Sequence, residues 1–228
     1  MDDTTGSIIA RGLGLRTRSG WVYRDIDWDV PGGSLAIVTG PAGSGKTALL
    51  LTLAARMQAG QGTLTVSGLD AVRHAGAVRR KAGLAEFRGV NDLDETLGVR
   101  DQLMAELALH GKPWRGAHAG RVLEPLGLEL DLHRKVRDLN APDRLLLGVA
   151  LGTISRPPIL IVDELDEDTT PDETALVLDA LRHLATSGTT VIAGALDPAL
   201  AVAADVSLAL DADGAQNDSE EVLVHALV

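Results

Sequence analysis

The stretch GPAGSGKT at residues 40–47 has the residue types and the spacing of a phosphate-binding loop. Its glycines allow backbone N–H groups to curl around phosphate oxygens, and a helix that begins within the loop adds the positive end of its dipole. Lys46 would reach the β- and γ-phosphates, and the hydroxyl of Thr47 would bind Mg²⁺. The sequence therefore predicts a phosphate-binding loop made of Gly40, Pro41, Ala42, Gly43, Ser44, Gly45, Lys46 and Thr47.

A second acidic element follows an apolar run, ILIVDE at residues 159–164. The four apolar residues predict a buried strand, and ligands bind at the carboxyl ends of strands in open α/β sheets. We predict that Asp163 holds Mg²⁺ through water together with Thr47, and that Glu164 is the catalytic residue that directs the attacking water. The alternative is an acidic strand end that caps the next helix, which the preceding phosphate loop disfavours.

The elements that position these residues alternate between strand and helix. The apolar run at 34–39 predicts a strand directly before the loop, and the leucines after Lys46 predict a helix over 46–59. Such alternation is typical of a parallel sheet covered on both faces. The remaining patterns predict strands over 21–30, 63–67, 159–162, 189–193 and 207–210, helices over 99–110, 121–126, 140–154 and 173–185, a loop over 111–120, and a terminal hairpin turn at Asp213-Gly214.

Composition excludes several classes of function. The 228 residues include no Cys, which removes disulfides and thiolate metal sites and fits a reducing compartment. A net charge of -11 with 2% aromatic residues argues against a nucleic-acid partner. The strongly apolar run at 145–154 is too short to span a bilayer, and the amino-terminal MDDTTGS is not a signal peptide. Any membrane role is therefore expected to come through a partner.

The order of these landmarks resembles that of the nucleotide-binding subunit of an ABC (ATP-binding cassette) transporter. GQGTLTVSGLD at 60–70 and TPDETALVLDALRHLATSGTTVIAG at 170–194 are similar to the family's segments after the loop helix and after the acidic pair. The resemblance implies a P-loop NTPase of the α/β class, with a mainly parallel sheet covered by helices, amino-terminal antiparallel strands and a small inserted helical lobe. It implies a single ABC-type domain over 1–228, with a core at 1–87 and 141–228 and the lobe at 88–140.

The same resemblance implies the ligands, the partners and the location. The cofactors would be ATP and Mg²⁺, and the function that of an ATP-binding subunit of a membrane transport system. The partners would be a separate membrane permease chain, docked through the helical lobe, and a second ATP-binding subunit in a homodimer or heterodimer. The chain would then be cytoplasmic and peripheral on the inner face of the cell membrane.

The sequence departs from the family where the family contacts the γ-phosphate. A serine–glycine–glycine signature is replaced by Leu139-Asn140-Ala141-Pro142-Asp143, in which Pro142 has no N–H to donate. We interpret Asn140 as the N-cap of a helix, with Asp143 in the first turn, and favour this over a working phosphate clamp.

Further family positions differ as well. Leu196 stands where the family has a histidine, and the glutamine expected near 86–87 is replaced by Glu86 and Phe87. Glu167-Asp168-Thr169-Thr170 replaces the usual end of the loop after the acidic pair. The adenine-stacking aromatic would fall near Thr17. Arg16, Arg18 or Trp21 could stack in its place, but the sequence favours a surface position on a strand for each of them.

These losses predict slow turnover with binding retained, because removing one preorganised donor costs about 10²–10³ in rate. The chain is therefore expected to be an ATPase with weakened motifs. The alternative is a hydrolysis-deficient, ATP-dependent regulatory or structural partner of a membrane protein or of a second ATPase subunit. A third hypothesis, a small-molecule kinase, requires an arginine-bearing lid, for which Arg115 and Arg121 are poor candidates.

Overall fold

A computed structural model of the chain describes residues 5–114 and 117–217. The strands are β1 (Ile8–Thr17), β2 (Gly20–Val30), β3 (Leu35–Thr39), β4 (Gln61–Val66), β5 (Leu69–Asp70), β6 (Ala82–Leu84), β7 (Ile159–Val162), β8 (Thr190–Ala195), β9 (Val206–Leu210) and β10 (Gln216–Asn217). The helices are α1 (Lys46–Leu53), α2 (Ala75–Lys81), α3 (Val99–Leu109), α4 (Ala117–Leu123), α5 (Ala141–Thr153) and α6 (Pro171–Thr186), with short 3₁₀ turns at Glu124–Leu126, Val136–Asp138 and Pro198–Ala203.

The larger sheet has six strands in the order β10-β9-β3-β8-β7-β6. All neighbouring pairs are parallel except β9 and β10, which form the predicted terminal hairpin. Both β3 and β7 are buried along their whole length, which explains their continuous apolar sequences. Because β3, β8 and β7 are adjacent and parallel, the segments that follow them meet at one edge of the sheet.

The smaller sheet is antiparallel, in the order β2-β1-β4-β5. The sequence did not predict β1, whose alternation is interrupted by Gly12 and Gly14 and by register shifts against both neighbours. Its alternate residues Ile8 and Ala10 are fully buried, in a hydrophobic cluster that also contains leucines of α1 and residues of the larger sheet. Together the two sheets and their covering helices confirm the predicted P-loop α/β fold.

The helix after the phosphate loop ends earlier than the sequence predicted. α1 stops at Leu53, and the expectation of a helix to residue 59 is wrong. Ala55 adopts a left-handed conformation (φ 52°), and the N–H groups of Arg56 and Met57 turn back to the carbonyl of Leu51. No glycine marks this stop, so the local sequence gave no signal for it.

Two further stretches differ from the sequence-based expectation. β5, α2 and β6 occupy 69–84, for which no element was predicted. α4 begins within the predicted loop at 111–120, of which 115–116 lie outside the described residues. Within 5–114 and 117–217, no helix has the length and apolar character needed to cross a membrane.

Candidate functional site

The loop between β3 and α1 has a backbone that only glycine tolerates well. Gly40, Gly43 and Gly45 have φ values of 154°, 81° and 90°. A Cβ on Gly45 would lie 2.1 Å from the carbonyl oxygen of Val22 in β2, so the loop packs directly on that strand. The hydroxyl of Ser44 is buried and lacks a hydrogen-bond partner among the described residues. A buried, unpaired hydroxyl inside a glycine loop fits a site that receives a polar ligand.

The ammonium group of Lys46 lies inside the same loop. Its Nζ donates hydrogen bonds to the carbonyl oxygens of Gly40 at 2.7 Å and of Pro41 at 2.9 Å. Burial lowers the pKa of Lys46, and the negative charges of Asp163, Asp166 and Glu164 oppose that shift. The ammonium group of Lys46 is therefore held by the uncharged carbonyl groups of Gly40 and Pro41, and a bound anion would attract it more strongly than they do.

Asp163 lies at the carboxyl end of β7 and is buried. Burial raises its pKa, while a hydrogen bond with Thr47 lowers it, so these two predicted metal ligands are in contact. The Oδ1 atom accepts a 3.0 Å hydrogen bond from the N–H of Glu164, and a Cβ on Gly194 in β8 would approach Oδ1 to 2.6 Å. A carboxylate and a hydroxyl are oxygen donors of the kind Mg²⁺ prefers, so the donor set fits the ion.

Glu164 follows Asp163 in a left-handed conformation (φ 54°) that is unusual for a non-glycine residue. Its side chain is 42% exposed and forms an ion pair with Arg88, with Nε 3.2 Å from Oε2. Burial and a contact with Glu167 raise the pKa of Glu164 to about 7. A carboxylate that titrates near neutral pH can accept a proton from water, which is the chemistry of a general base.

Glu86 does not face the phosphate loop as a free ligand. Its carboxylate accepts two hydrogen bonds from Arg144 in α5, from Nη2 at 2.6 Å and from Nε at 2.8 Å. Arg144 also pairs with Glu95 at 3.0 Å, and Phe87 is buried in the core. Sequence reasoning identified Glu86 and Phe87 as departures from the family but missed Arg88 and Arg144, which carry no local signal.

The amino terminus of α5 is a closed cap. Oδ1 of Asn140 accepts the N–H of Asp143 at 2.9 Å, and Pro142 occupies the first turn. The side-chain acceptor of Asn140 is thereby used inside the protein. This confirms the N-cap interpretation of 139–143.

The segment after β8 is also held internally. The N–H groups of Leu196 and Asp197 donate to the carboxylate of Asp166, at 2.8 Å and 2.7 Å. Leu196 itself is partly exposed and brings no titratable group to the site. The contact fixes the loop after β7 to the loop after β8.

Near the tip of the β1–β2 hairpin, an aromatic ring pairs with a guanidinium group. Arg16 and Trp21 are cross-strand partners, and the guanidinium of Arg16 lies 5.5 Å from the centre of the indole ring. Trp21 directly precedes Val22, the residue on which Gly45 packs. The pair therefore offers a flat, cationic surface on the hairpin.

The arginines considered for a kinase lid do not support that hypothesis. Arg115 lies outside the described residues. Arg121 borders a cavity with Pro157 and Thr189, which precede β7 and β8. It therefore lies near the opposite edge of the sheet from the phosphate loop.

The family profile described as "ABC transporter" matches residues 23–167. The chain therefore belongs to the ABC transporter family, and the resemblance to its nucleotide-binding subunits is confirmed. The daunorubicin resistance ATP-binding protein DrrA3 of Streptomyces coeruleorubidus is 36% identical over 169 residues, which cover 73% of this chain and 53% of that protein. The taurine import ATP-binding protein TauB of Pseudomonas aeruginosa is 28% identical over 216 residues, covering 90% of this chain and 78% of that protein.

Solved structures agree on the fold. The cassette MJ0796, in a dimeric post-hydrolysis state bound to ADP and Pi, superposes with a TM-score of 0.77 at 19% identity and covers 92% of this chain and 97% of its own. The structure of cbiO1 of Clostridium perfringens, part of the ABC transporter complex cbiONQ, superposes with a TM-score of 0.80 at 16% identity. The match covers 99% of this chain and 92% of the cbiO1 chain. This chain spans about half the length of the DrrA3 relative.

Proposed function

We propose that this chain binds ATP with Mg²⁺ at residues 40–47 and serves as the ATP-binding subunit of an ABC-type membrane transport system, with slow hydrolysis directed by Glu164. The observation that carries this proposal is the geometry around β3 and β7. The glycine loop, the ammonium of Lys46 and the contact between Thr47 and Asp163 lie at one edge of one sheet. Phosphates and a divalent cation are the ligands that this donor set suits.

Each group has a role in that proposal. The backbone N–H groups of 40–47 and Lys46 bind the phosphate chain, and Thr47 and Asp163 hold Mg²⁺. The cation, when bound, neutralises charge on the phosphates. Glu164 accepts the proton of the attacking water, which requires its ionised form and so favours turnover at and above neutral pH. Trp21 and Arg16 stack on the base.

Membership of the ABC transporter family supports a proposal for the partners. We propose that a separate permease chain receives the lobe at 88–140, and that the chain pairs with a copy of itself or with a second ATP-binding subunit. This arrangement places the protein at the cytoplasmic face of the cell membrane. The relatives' names include both import and resistance systems, so the cargo is left open.

Calorimetry with ATP and Mg²⁺ tests the binding step. We expect binding heat with the wild type and its loss in Lys46→Ala. Lys112→Ala is the matched control, because Lys112 also donates to a backbone carbonyl, that of Ile154, but away from the phosphate loop. Equal heats for wild type and Lys46→Ala would contradict the proposal.

Single-turnover cleavage of ATP tests the role of Glu164. Glu164→Gln keeps the shape of the side chain but cannot accept a proton, so we expect unchanged binding and much slower cleavage. Equal cleavage rates in the two proteins would show that Glu164 is not the base.

A second candidate function is an ATP-binding regulatory subunit that does not turn over. The internal engagement of Asn140 and Glu86 favours it, because both occupy positions where the resemblance implies phosphate or water contacts. Steady-state phosphate release, with and without a second ATP-binding subunit, separates the two functions. Release no higher than that of Lys46→Ala under both conditions would favour the regulatory role.

A further inference from the structure

Arg88 contacts three carboxylates of the loop that follows β7. Its Nε lies 3.2 Å from Oε2 of Glu164, and its Nη2 lies 3.1 Å from Oε2 of Glu167 and 3.7 Å from Oδ2 of Asp168. Nη1 donates a further hydrogen bond to Oε1 of Glu167 at 3.3 Å. One guanidinium thus joins the loop after β6 to three carboxylates of the loop after β7, referred to below as the acidic loop (residues 164–168).

The backbone that carries Arg88 is fixed on both sides. Phe87 is buried, and its N–H donates to Oδ1 of Asn91 at 2.9 Å, while Nδ2 of Asn91 donates to the carbonyl of Ala85 at 2.8 Å. The N–H of Gly89 donates to Asp92 at 2.8 Å. An exposed ion pair usually contributes little to stability, because two mobile side chains must be held in one geometry. Arg88 instead contacts three carboxylates at once, so the ordering of one side chain is shared among several charge contacts.

The acidic loop gathers like charges around one cation. Glu164, Glu167 and Asp168 each have a carboxylate oxygen within 3.7 Å of the guanidinium of Arg88, and without that cation their charges would repel one another. Glu164 and Asp168 also adopt left-handed conformations, with φ of 54° and 56°. Such backbone strain persists only where surrounding contacts hold it. The contacts of Arg88 join the side chains of both strained residues.

We propose that Arg88 is the positioning residue for Glu164: its guanidinium gathers Glu164, Glu167 and Asp168 and so fixes the carboxylate of Glu164 at the edge of the sheet where the water must be activated. The inference rests on the proposed hydrolytic function. Arg88 acts through Glu164 and need not touch the nucleotide. The contacts between the guanidinium of Arg88 and the acidic loop are observed in this chain itself.

Phosphate release at saturating and subsaturating ATP tests the inference on Arg88→Ala and Arg88→Lys. A misplaced catalytic group costs about 10²-fold in rate. We therefore expect kcat of Arg88→Ala to fall about 10- to 100-fold with KM for ATP within about twofold. Arg88→Lys should recover part of the loss, because one ammonium can pair with Glu164 but cannot span all three carboxylates.

The matched control is Arg11→Ala, which removes another exposed arginine–carboxylate pair, with Asp29 in the antiparallel sheet. It should leave kcat within about twofold of the wild type. Amide hydrogen exchange supplies a readout that does not depend on turnover. Exchange over 163–168 should increase in Arg88→Ala and remain unchanged in Arg11→Ala. Arg88→Gln, which keeps more of the packing, replaces the alanine variant if that variant does not fold.

The possible outcomes distinguish a failure of the proposed hydrolytic function from a failure of the proposed role of Arg88 alone. Wild-type release equal to that of Lys46→Ala would remove the hydrolytic function, and the role of Arg88 with it. Wild-type release above that background, together with an Arg88→Ala enzyme as fast as or faster than the wild type, would overturn the role of Arg88 alone. Unchanged exchange over 163–168 in Arg88→Ala would likewise overturn it.

Discussion

Removing Arg144 should destabilise this protein far more than removing a surface arginine. Arg144 forms a two-bond ion pair with Glu86, and the two side chains are 30% and 9% exposed. Breaking a fully buried pair costs about 3–5 kcal/mol, because the remaining charge is left unpaired, whereas an exposed pair contributes about 0–1 kcal/mol. With Arg144 partly exposed, we expect Arg144→Ala to lower the free energy of unfolding by about 2–3 kcal/mol.

Thermal unfolding measures this loss directly. For a domain of this size each kcal/mol corresponds to about 2–4 °C, so the melting temperature should fall by about 4–12 °C. Arg11→Ala is the control, since Arg11 and Asp29 form a pair of comparable length with side chains 51% and 61% exposed. The double variant with Glu86→Ala should lose less than the sum of the two single losses, because it does not leave the largely buried carboxylate of Glu86 unpaired.

Equal melting temperatures for Arg144→Ala and Arg11→Ala would refute the reasoning. So would strict additivity of the Glu86 and Arg144 substitutions in the double variant. Either result would mean that the ion pair between Glu86 and Arg144 does not stabilise the protein as its burial implies.

Three further predictions concern the loop, the helix cap and acid stability. Gly45→Ala should abolish ATP binding in calorimetry, because the new Cβ would meet the carbonyl of Val22 at 2.1 Å. Asn140→Ala should lower the free energy of unfolding by about 1 kcal/mol in chemical denaturation, while Asn140→Asp should not, because only alanine removes the cap acceptor. Asp205 has a lowered pKa, caused first by its bond to the N–H of Leu35, so its contribution to stability is present above the unfolded pKa and is lost as pH falls through the folded value. Asp205→Asn should therefore show a smaller loss of melting temperature between pH 6 and acid pH than the wild type does.

Local sequence signals predicted the elements that carry the site. Four consecutive apolar residues between loop residues predicted Ile159–Val162 with its observed bounds, and the cap at Asn140 placed the start of α5 to within one residue. The glycine spacing of 40–47 predicted the loop itself, because the required φ values are a local property of the chain. These features depend on residues that are neighbours in the sequence.

The features that the sequence did not reveal depend on distant residues. β1 contains two glycines and gains its stability from pairing with β2 and β4. Arg144 is 58 residues from Glu86, and Arg88 is 79 residues from Glu167, so neither pair leaves a spacing pattern. The end of α1 at Leu53 is likewise set by a left-handed Ala55 that no residue preference marks.

Asn140 and Glu86 stand at positions that depart from the family, and the side chains of both bind other groups of this chain. This shared property bears on how ATP binding and turnover are related. Where the resemblance implies contacts to phosphate or water, this chain makes contacts to itself. Asn140 caps α5, and Glu86 binds Arg144. The bonds named here do not involve residues 40–47, so we expect the proposed phosphate-binding groups to be unaffected by these substitutions. Under the proposed function, turnover rests on Glu164 and on the contacts that fix its carboxylate, and we expect a change at Arg88 to alter the rate while leaving the affinity for ATP unchanged.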